Sequence, residues 1–225
     1  MEFGYWGIKG AGEPIRWLIA YLGLEVAEYN PVSREAWVER KATLGPFPNL
    51  PFLKDGDFFL SETSAIPYYL IEKSGKTELL GKTTEDKARI LQIQGFLLDV
   101  RQALTKSFFA PGDHKASIGK VTTETVVPKF QLLEALLGDK DFLLGYLTWA
   151  DFQFAFTAQF FSAGIRSVGL ECPLATTPKL KALVARVVAL PGVSARYEAS
   201  KSVPYMPPGM LPFNIHTTAE LDAQS

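Results

Sequence analysis

The 225-residue sequence predicts a small α/β domain followed by an all-helical one. Two observations carry that reading. The first third holds short apolar and aromatic segments broken by Gly and Pro, with one strong hairpin signature. From Thr84 onward the hairpin signals stop and long stretches with helical apolar spacing take over.

Phe3, Tyr5 and Trp6 make a short aromatic strand that runs into a Gly-rich loop, Gly7 to Gly12. Pro14 then supplies a helix start, Ile15, Leu18, Ile19 and Leu22 recur at helical spacing, and Gly23 offers a C-terminal cap. Val26 to Tyr29 predicts a second strand and Arg34 to Lys41 a short charged helix. Asp55-Gly56, between Phe52-Leu53-Lys54 and Asp57 to Leu60, predicts a hairpin, because this dipeptide tolerates the backbone of a two-residue turn. Ser61 to Lys73 predicts a third helix starting near Glu62 or Thr63, which keeps Pro67, lacking an N–H, in or beside the first turn. This order implies a parallel strand pair joined by a right-handed crossover.

A boundary between Gly75 and Thr83 divides the chain into 1–78, a helical unit 79–204 and a tail 205–225. Thr84 to Phe109, Lys120 to Leu137, Thr148 to Gly164 and Pro178 to Ala189 are the helices expected in the second unit. Thr148 and Asp151 form a capping-box pattern, with Leu147 poised to staple against Phe152. The tail carries Pro207, Pro208 and Pro212 and is expected to run irregularly.

Composition excludes several functions. Lys plus Arg number 23 against 24 Asp plus Glu, so no whole-chain basic field exists to gather nucleic acid. No apolar run approaches the roughly 20 residues that span a bilayer, and the N-terminus has no signal-peptide pattern, so a cytoplasmic protein without membrane partners is expected. A single cysteine, Cys172, permits neither an intrachain disulfide nor a Cys-rich metal site, and no metal is expected. The glycines of Gly7 to Gly12 are misplaced for a dinucleotide fingerprint. His114 and His216 sit in loop-like and tail segments and read as surface polar residues.

Three segments remain with chemical potential. A phenol keeps its proton at neutral pH and can donate a hydrogen bond to a thiolate, favouring the charged form, as Tyr5 would. Leu50, held extended before Pro51, can offer its backbone N–H and C=O to a peptide-like ligand. A helix start at Glu62-Thr63 presents unpaired N–H groups and a positive dipole end to a carboxylate. Taken singly, Tyr5 also reads as a core aromatic, Pro51 as an edge-strand proline and Thr63 as an ordinary cap.

Together, Phe3-Gly4-Tyr5-Trp6, Ile8-Lys9-Gly10, Trp37, Lys41, Phe47-Pro48-Asn49-Leu50-Pro51, Glu62-Thr63-Ser64-Ala65-Ile66 and Leu98-Asp99-Val100-Arg101 resemble the cytosolic glutathione S-transferases of the tyrosine type, nearest the mu and sigma-like classes. The resemblance implies a thioredoxin-like glutathione-binding domain and a helical domain that lends the electrophile pocket. It makes Tyr5 the thiol activator and puts Trp6, Trp37 and Lys41 at the glycyl end of glutathione. Asn49 and Leu50 meet its middle, with Pro51 matching the family's cis-proline, and Glu62 and Thr63 hold its γ-glutamyl group. Asp99 matches a residue that reaches the partner subunit's glutathione, and Phe47 a dimer-locking aromatic, so a homodimer is implied. Ile8, Phe108 and Phe109 fall in the electrophile pocket.

Three departures from the mu pattern stand out: a shorter segment between Tyr29 and Trp37, Glu62-Thr63 in place of Gln-Ser, and Phe109 where mu enzymes place an electrophile-assisting tyrosine. The resemblance admits a transferase acting on small apolar electrophiles, a glutathione-dependent isomerase, or a non-enzymatic, crystallin-like descendant that binds ligands or serves structurally.

Overall fold

The computed structural model describes residues 1–223. A four-stranded sheet of order β2-β1-β3-β4 forms from β1 (Glu2–Gly4), β2 (Ala27–Tyr29), β3 (Phe52–Asp55) and β4 (Phe58–Ser61). β1 runs parallel to β2 and antiparallel to β3, with Phe3 opposite Glu28 on one side and Leu53 on the other. Asp55 pairs with Phe58, so the hairpin turn is Gly56-Asp57, one residue beyond the predicted dipeptide, with Gly56 in the left-handed region at φ 58°.

Helix α1 (Glu13–Leu22) has Pro14 in its first turn and Gly23 as a left-handed cap, as expected. Ser33 caps α2 (Arg34–Lys41) by accepting from the Ala36 N–H at 3.1 Å. Helix α3 spans Ala65–Ser74 and buries Ile66, Leu70 and Ile71. Its start lies later than predicted because Glu62 adopts φ 82° and cannot belong to the helix, although its carbonyl accepts from Ala65 and Ile66. Pro67 therefore takes the third helical position, where no N–H is required.

The second unit comprises α4 (Thr84–Phe108), α5 (His114–Val121), α6 (Val127–Leu137), α7 (Trp149–Ser167), α8 (Pro178–Val188) and α9 (Val193–Ala199). A wider helical turn, Thr122–Val126, joins α5 to α6, so helix begins at His114 rather than Lys120. Asp151 in α7 caps as predicted: its buried carboxylate accepts from the Thr148 N–H at 2.8 Å, the Thr148 hydroxyl at 2.9 Å and the Leu143 N–H at 2.8 Å. The tail is more ordered than its prolines suggested. It carries α10 (Thr218–Asp222), started by a capping box from Thr217 and Glu220, while Gln224 and Ser225 lie outside the described residues.

One continuous apolar core joins the two units. Trp17 of α1 meets Phe156 of α7 edge-on at 5.8 Å, and Tyr21 meets Phe152 at 5.5 Å. Between α4 and α7, Gly164 leaves room for Phe108, whose Cζ would lie 2.4 Å from any Cβ at that position. The α4 face carrying Gln94, Leu98 and Arg101 lines one cavity with Ala11, whose N–H meets the Tyr5 hydroxyl.

Candidate active site

Tyr5 leaves β1 with its N–H bonded to the Tyr29 carbonyl at 3.0 Å, which ties the end of β1 to that of β2. The ring is only 8% exposed and lies against two glycines. A Cβ at Gly10 would approach the Tyr5 hydroxyl to 2.6 Å, and one at Gly12 would approach Cδ1 to 2.5 Å. The glycines of this loop thus make space for one ring. The Ala11 N–H donates to the Tyr5 hydroxyl oxygen at 2.9 Å. With a donor already on its oxygen, the phenol has its own proton free for a further acceptor.

Buried charges brace this loop. Arg16 lies 5.7 Å from the Tyr5 ring centre and donates to the carbonyls of Ile8 at 2.7 Å and Trp6 at 3.1 Å. It also pairs with Glu28, and with Glu13, which is fully buried and held by Arg196 of α9 at 2.9 and 2.7 Å. Lys9 donates from its backbone to the Pro204 carbonyl and from its side chain to the Thr218 hydroxyl, while Gly10 donates to the Tyr205 carbonyl. Burial, with help from Arg196, lowers the Lys9 pKa to about 8 against the pull of Glu13. Burial likewise raises the pKa of Tyr205, whose ring lies 4.2 Å from the Lys9 ammonium.

On the other side of the sheet end, the Leu50–Pro51 peptide bond is cis. Among the described residues, the N–H groups of Leu50, Thr63 and Ser64 have no partner, which leaves a strand-like donor and a helix-start cluster for a peptidic, carboxylate-bearing ligand. Glu62 holds a backbone conformation that costs a non-glycine residue on the order of 1–3 kcal/mol, a cost characteristic of functional positions. Glu62, Thr63 and Ser64 line a 360 Å³ cavity together with Ala11, Gln94 and Arg101. A 310 Å³ cavity adjoins it, lined by Leu98, Arg101, Gln102, Thr105, Lys106 and Phe109.

Glu62 and Thr63 therefore line one cavity with Ala11, whose N–H meets the Tyr5 hydroxyl, and Phe109 lines the cavity beside it, while Tyr5 itself lines neither. Other residues singled out in the sequence stand elsewhere. Trp37 stacks on Phe52 at 6.2 Å, fastening α2 to the sheet, and Lys41 and Asn49 are exposed. Trp6 and Ile8 are half-buried, with their carbonyls committed to Arg16. Asp99 is exposed and pairs with Lys129 of α6 at 3.5 Å. Phe47 is 84% exposed, and its carbonyl accepts from Ser61. The expectation for Phe108 needs correction: it is fully buried over Gly164, edge-on to Phe160 and Phe213, and lines neither cavity. Leu98 and Arg101, one helical turn apart and shared by both cavities, were not singled out individually. Their spacing on α4 beside Gln94 was the available signal.

The family models for the glutathione S-transferase N-terminal and C-terminal domains match residues 1–72 and 98–201. The class-mu 26 kDa isozyme 51 glutathione S-transferase of Fasciola hepatica is 32% identical over 206 residues, covering 90% of each chain. This chain belongs to the glutathione S-transferase family. Glutathione S-transferase Mu 1 of Bos taurus is 30% identical over 91% of this chain and 93% of its own. Among solved structures, this glutathione S-transferase resembles Blo t 8 at a TM-score of 0.83 and 26% identity, over 92% of this chain and 97% of the other. Prostaglandin synthase D of Nilaparvata lugens matches at 0.74 and 26%, over 90% and 98%. The fold of this glutathione S-transferase is that of the family, a small mixed α/β domain followed by a helical one, and the family takes glutathione as co-substrate. No helix among the described residues is long and apolar enough to cross a membrane.

Proposed function

We propose that this glutathione S-transferase activates the glutathione thiol through the Tyr5 hydroxyl and joins the sulfur to small apolar electrophiles. The observation that carries the reading is the Ala11 N–H bonded to the Tyr5 oxygen at 2.9 Å, in a pocket that fixes the ring and leaves its proton free. The Tyr5 O–H donates a hydrogen bond to the sulfur and keeps its proton, favouring thiolate over thiol, and the thiol's own proton passes to water. Bringing a thiol from about 8.5 to about 6.5 requires roughly 2.7 kcal/mol in favour of the anion. One charge-assisted hydrogen bond supplies on the order of 1.5–3 kcal/mol, so Tyr5 is sufficient for most of the shift.

In this reading the γ-glutamyl end lies on Glu62 and the free N–H groups of Thr63 and Ser64. The middle meets Asn49 and Leu50 beside Pro51, and Trp6, Trp37 and Lys41 surround the glycyl carboxylate. Leu98 and Phe109 supply apolar wall to the electrophile. A homodimer joined through the exposed Phe47, with Asp99 directed to the partner's glutathione, completes the proposal. The same activated sulfur serves a glutathione-dependent isomerisation, and the likeness to a prostaglandin synthase D favours including a peroxide substrate in the assay. Steady-state turnover of glutathione with an aryl halide, an enone and a lipid peroxide tests the reading. The wild type is expected to conjugate the halide with kcat reduced about 100-fold in Tyr5→Phe, whereas equal rates in both would contradict it.

A further inference from the structure

The cavity bordered by Glu62, Thr63 and Ser64 is also lined by α7, and that helix brings to it polar atoms with nothing to bond. Trp149 and Gln153 stand four residues apart on α7, so their side chains share one face of the helix, and both line the cavity. The Trp149 side chain is 2% exposed, and its indole N–H has no partner among the described residues. Nor has the buried amide oxygen of Gln153. Buried polar atoms are paired in the great majority of cases, because one left unpaired has given up its bonds to water for nothing. Trp149 is set in place by its stack on Phe152 at 6.1 Å and by the Asp151 cap at the start of α7. Two acceptors, the Glu62 carboxylate and the Gln153 amide oxygen, thus border one 360 Å³ space with three donors, the N–H groups of Thr63, Ser64 and the Trp149 indole. An ammonium uses only acceptors and a carboxylate only donors, and an α-amino acid carries both on one carbon.

We propose that Gln153 and Trp149 of α7 select the thiol substrate by its α-amino-acid end: the Gln153 amide oxygen accepts from the ammonium, and the Trp149 indole N–H donates to the carboxylate. The inference rests on the placement of the γ-glutamyl group at Glu62, Thr63 and Ser64. It gives the helical unit of the same chain a share in choosing the thiol. A peptide thiol that lacks either charged group leaves one of these buried atoms unpaired and binds more weakly for that reason. The pair acts on binding and not on the sulfur, so turnover at saturating thiol does not depend on it.

The test titrates wild type, Gln153→Leu, Trp149→Phe and Glu62→Gln calorimetrically with three peptides and follows kcat on an aryl halide in parallel. The peptides are glutathione, glutaryl-Cys-Gly, which lacks the α-amine, and 4-aminobutanoyl-Cys-Gly, which lacks the α-carboxylate. Gln153→Leu is expected to weaken glutathione binding about 30-fold, the size of one hydrogen bond to a charged group, and glutaryl-Cys-Gly binding by less than about threefold. Trp149→Phe is expected to show the same loss on glutathione and less than about threefold on the 4-aminobutanoyl peptide. Turnover at saturating glutathione stays within about threefold of wild type in both, which also shows that they fold. If Trp149→Phe does not fold, the contrast between glutathione and glutaryl-Cys-Gly in Gln153→Leu decides alone. Equal losses on glutathione and the truncated peptide, a fall in kcat in place of affinity, a raised KM for the halide with glutathione affinity kept, or no loss at all would each overturn the role of α7. Glutathione affinity unchanged in Glu62→Gln would defeat the γ-glutamyl placement and the inference with it, whereas a loss there with none in Gln153→Leu defeats the inference alone.

Discussion

At the scale of single residues, the site depends on small groups that keep larger ones in place. Gly12 has space for hydrogen alone beside the Tyr5 ring, so Gly12→Ala must turn the ring or shift the loop. A displacement near 1 Å costs about 100-fold in rate, so kcat should fall by that factor with circular dichroism unchanged. Tyr5 itself was legible as a strand-end aromatic, but a strand aromatic is ordinarily core, and only its company in the sequence suggested chemistry. What no spacing revealed was the Ala11 N–H on its oxygen, because that contact depends on the path of a loop. That Phe108 leaves the pocket wall while Phe109 stays in it has a similar origin. Both lie at the end of α4, and it is the missing side chain of Gly164, some 55 positions away, that draws Phe108 inward.

At the scale of elements, caps and braces account for much of the order. The Asp151 carboxylate serves three donors at the start of α7 while almost wholly excluded from water. Asp151→Ala would strand those donors and should cost on the order of 3 kcal/mol, seen as a Tm lower by roughly 10 °C in calorimetry. This capping box was readable from Thr148 and Asp151 because it is local. The anchoring of the tail was not, because Pro204, Tyr205 and Thr218 meet Lys9 across some 200 residues. The irregular reading given to the prolines overlooked the capping box of Thr217 and Glu220.

That anchor has a pH signature. The folded state lowers the Lys9 pKa from 10.5 to about 8, so between these values the unfolded chain binds the proton that the folded chain has lost. Stability therefore rises with pH across that window, and the penalty is greatest below about pH 8. Relative to Lys9→Met, wild-type protein should gain on the order of 3 kcal/mol in urea unfolding between pH 8 and 10.5. A difference that does not change with pH would argue against the buried charge.

At the scale of the whole molecule, the switch from short strands to long helices fixed the order of the two units correctly, since periodicity reports which faces are buried. It did not show that they share a core, because Trp17 and Phe156 belong to patterns that each look complete. Assembly is the next level. Phe47 is 84% exposed at φ 54°, an expensive way to present an aromatic ring to water. Sedimentation should give twice the 24.8 kDa chain mass, shifting toward the monomer in Phe47→Ser. Dissociation should also lower glutathione affinity if Asp99 acts across the interface.

In the proposed function, the arrangement from the glycine loop to the tail that braces it serves the state of one sulfur atom. Ultraviolet difference absorbance of the protein with glutathione, titrated from pH 5 to 9 in wild type and Tyr5→Phe, reads that state directly. The account predicts a thiolate band with a midpoint near 6.5 in the wild type, moved to near the free-thiol value of about 8.5 in the variant. Saturating glutathione with no thiolate band below pH 8, or the same midpoint in both proteins, would contradict it.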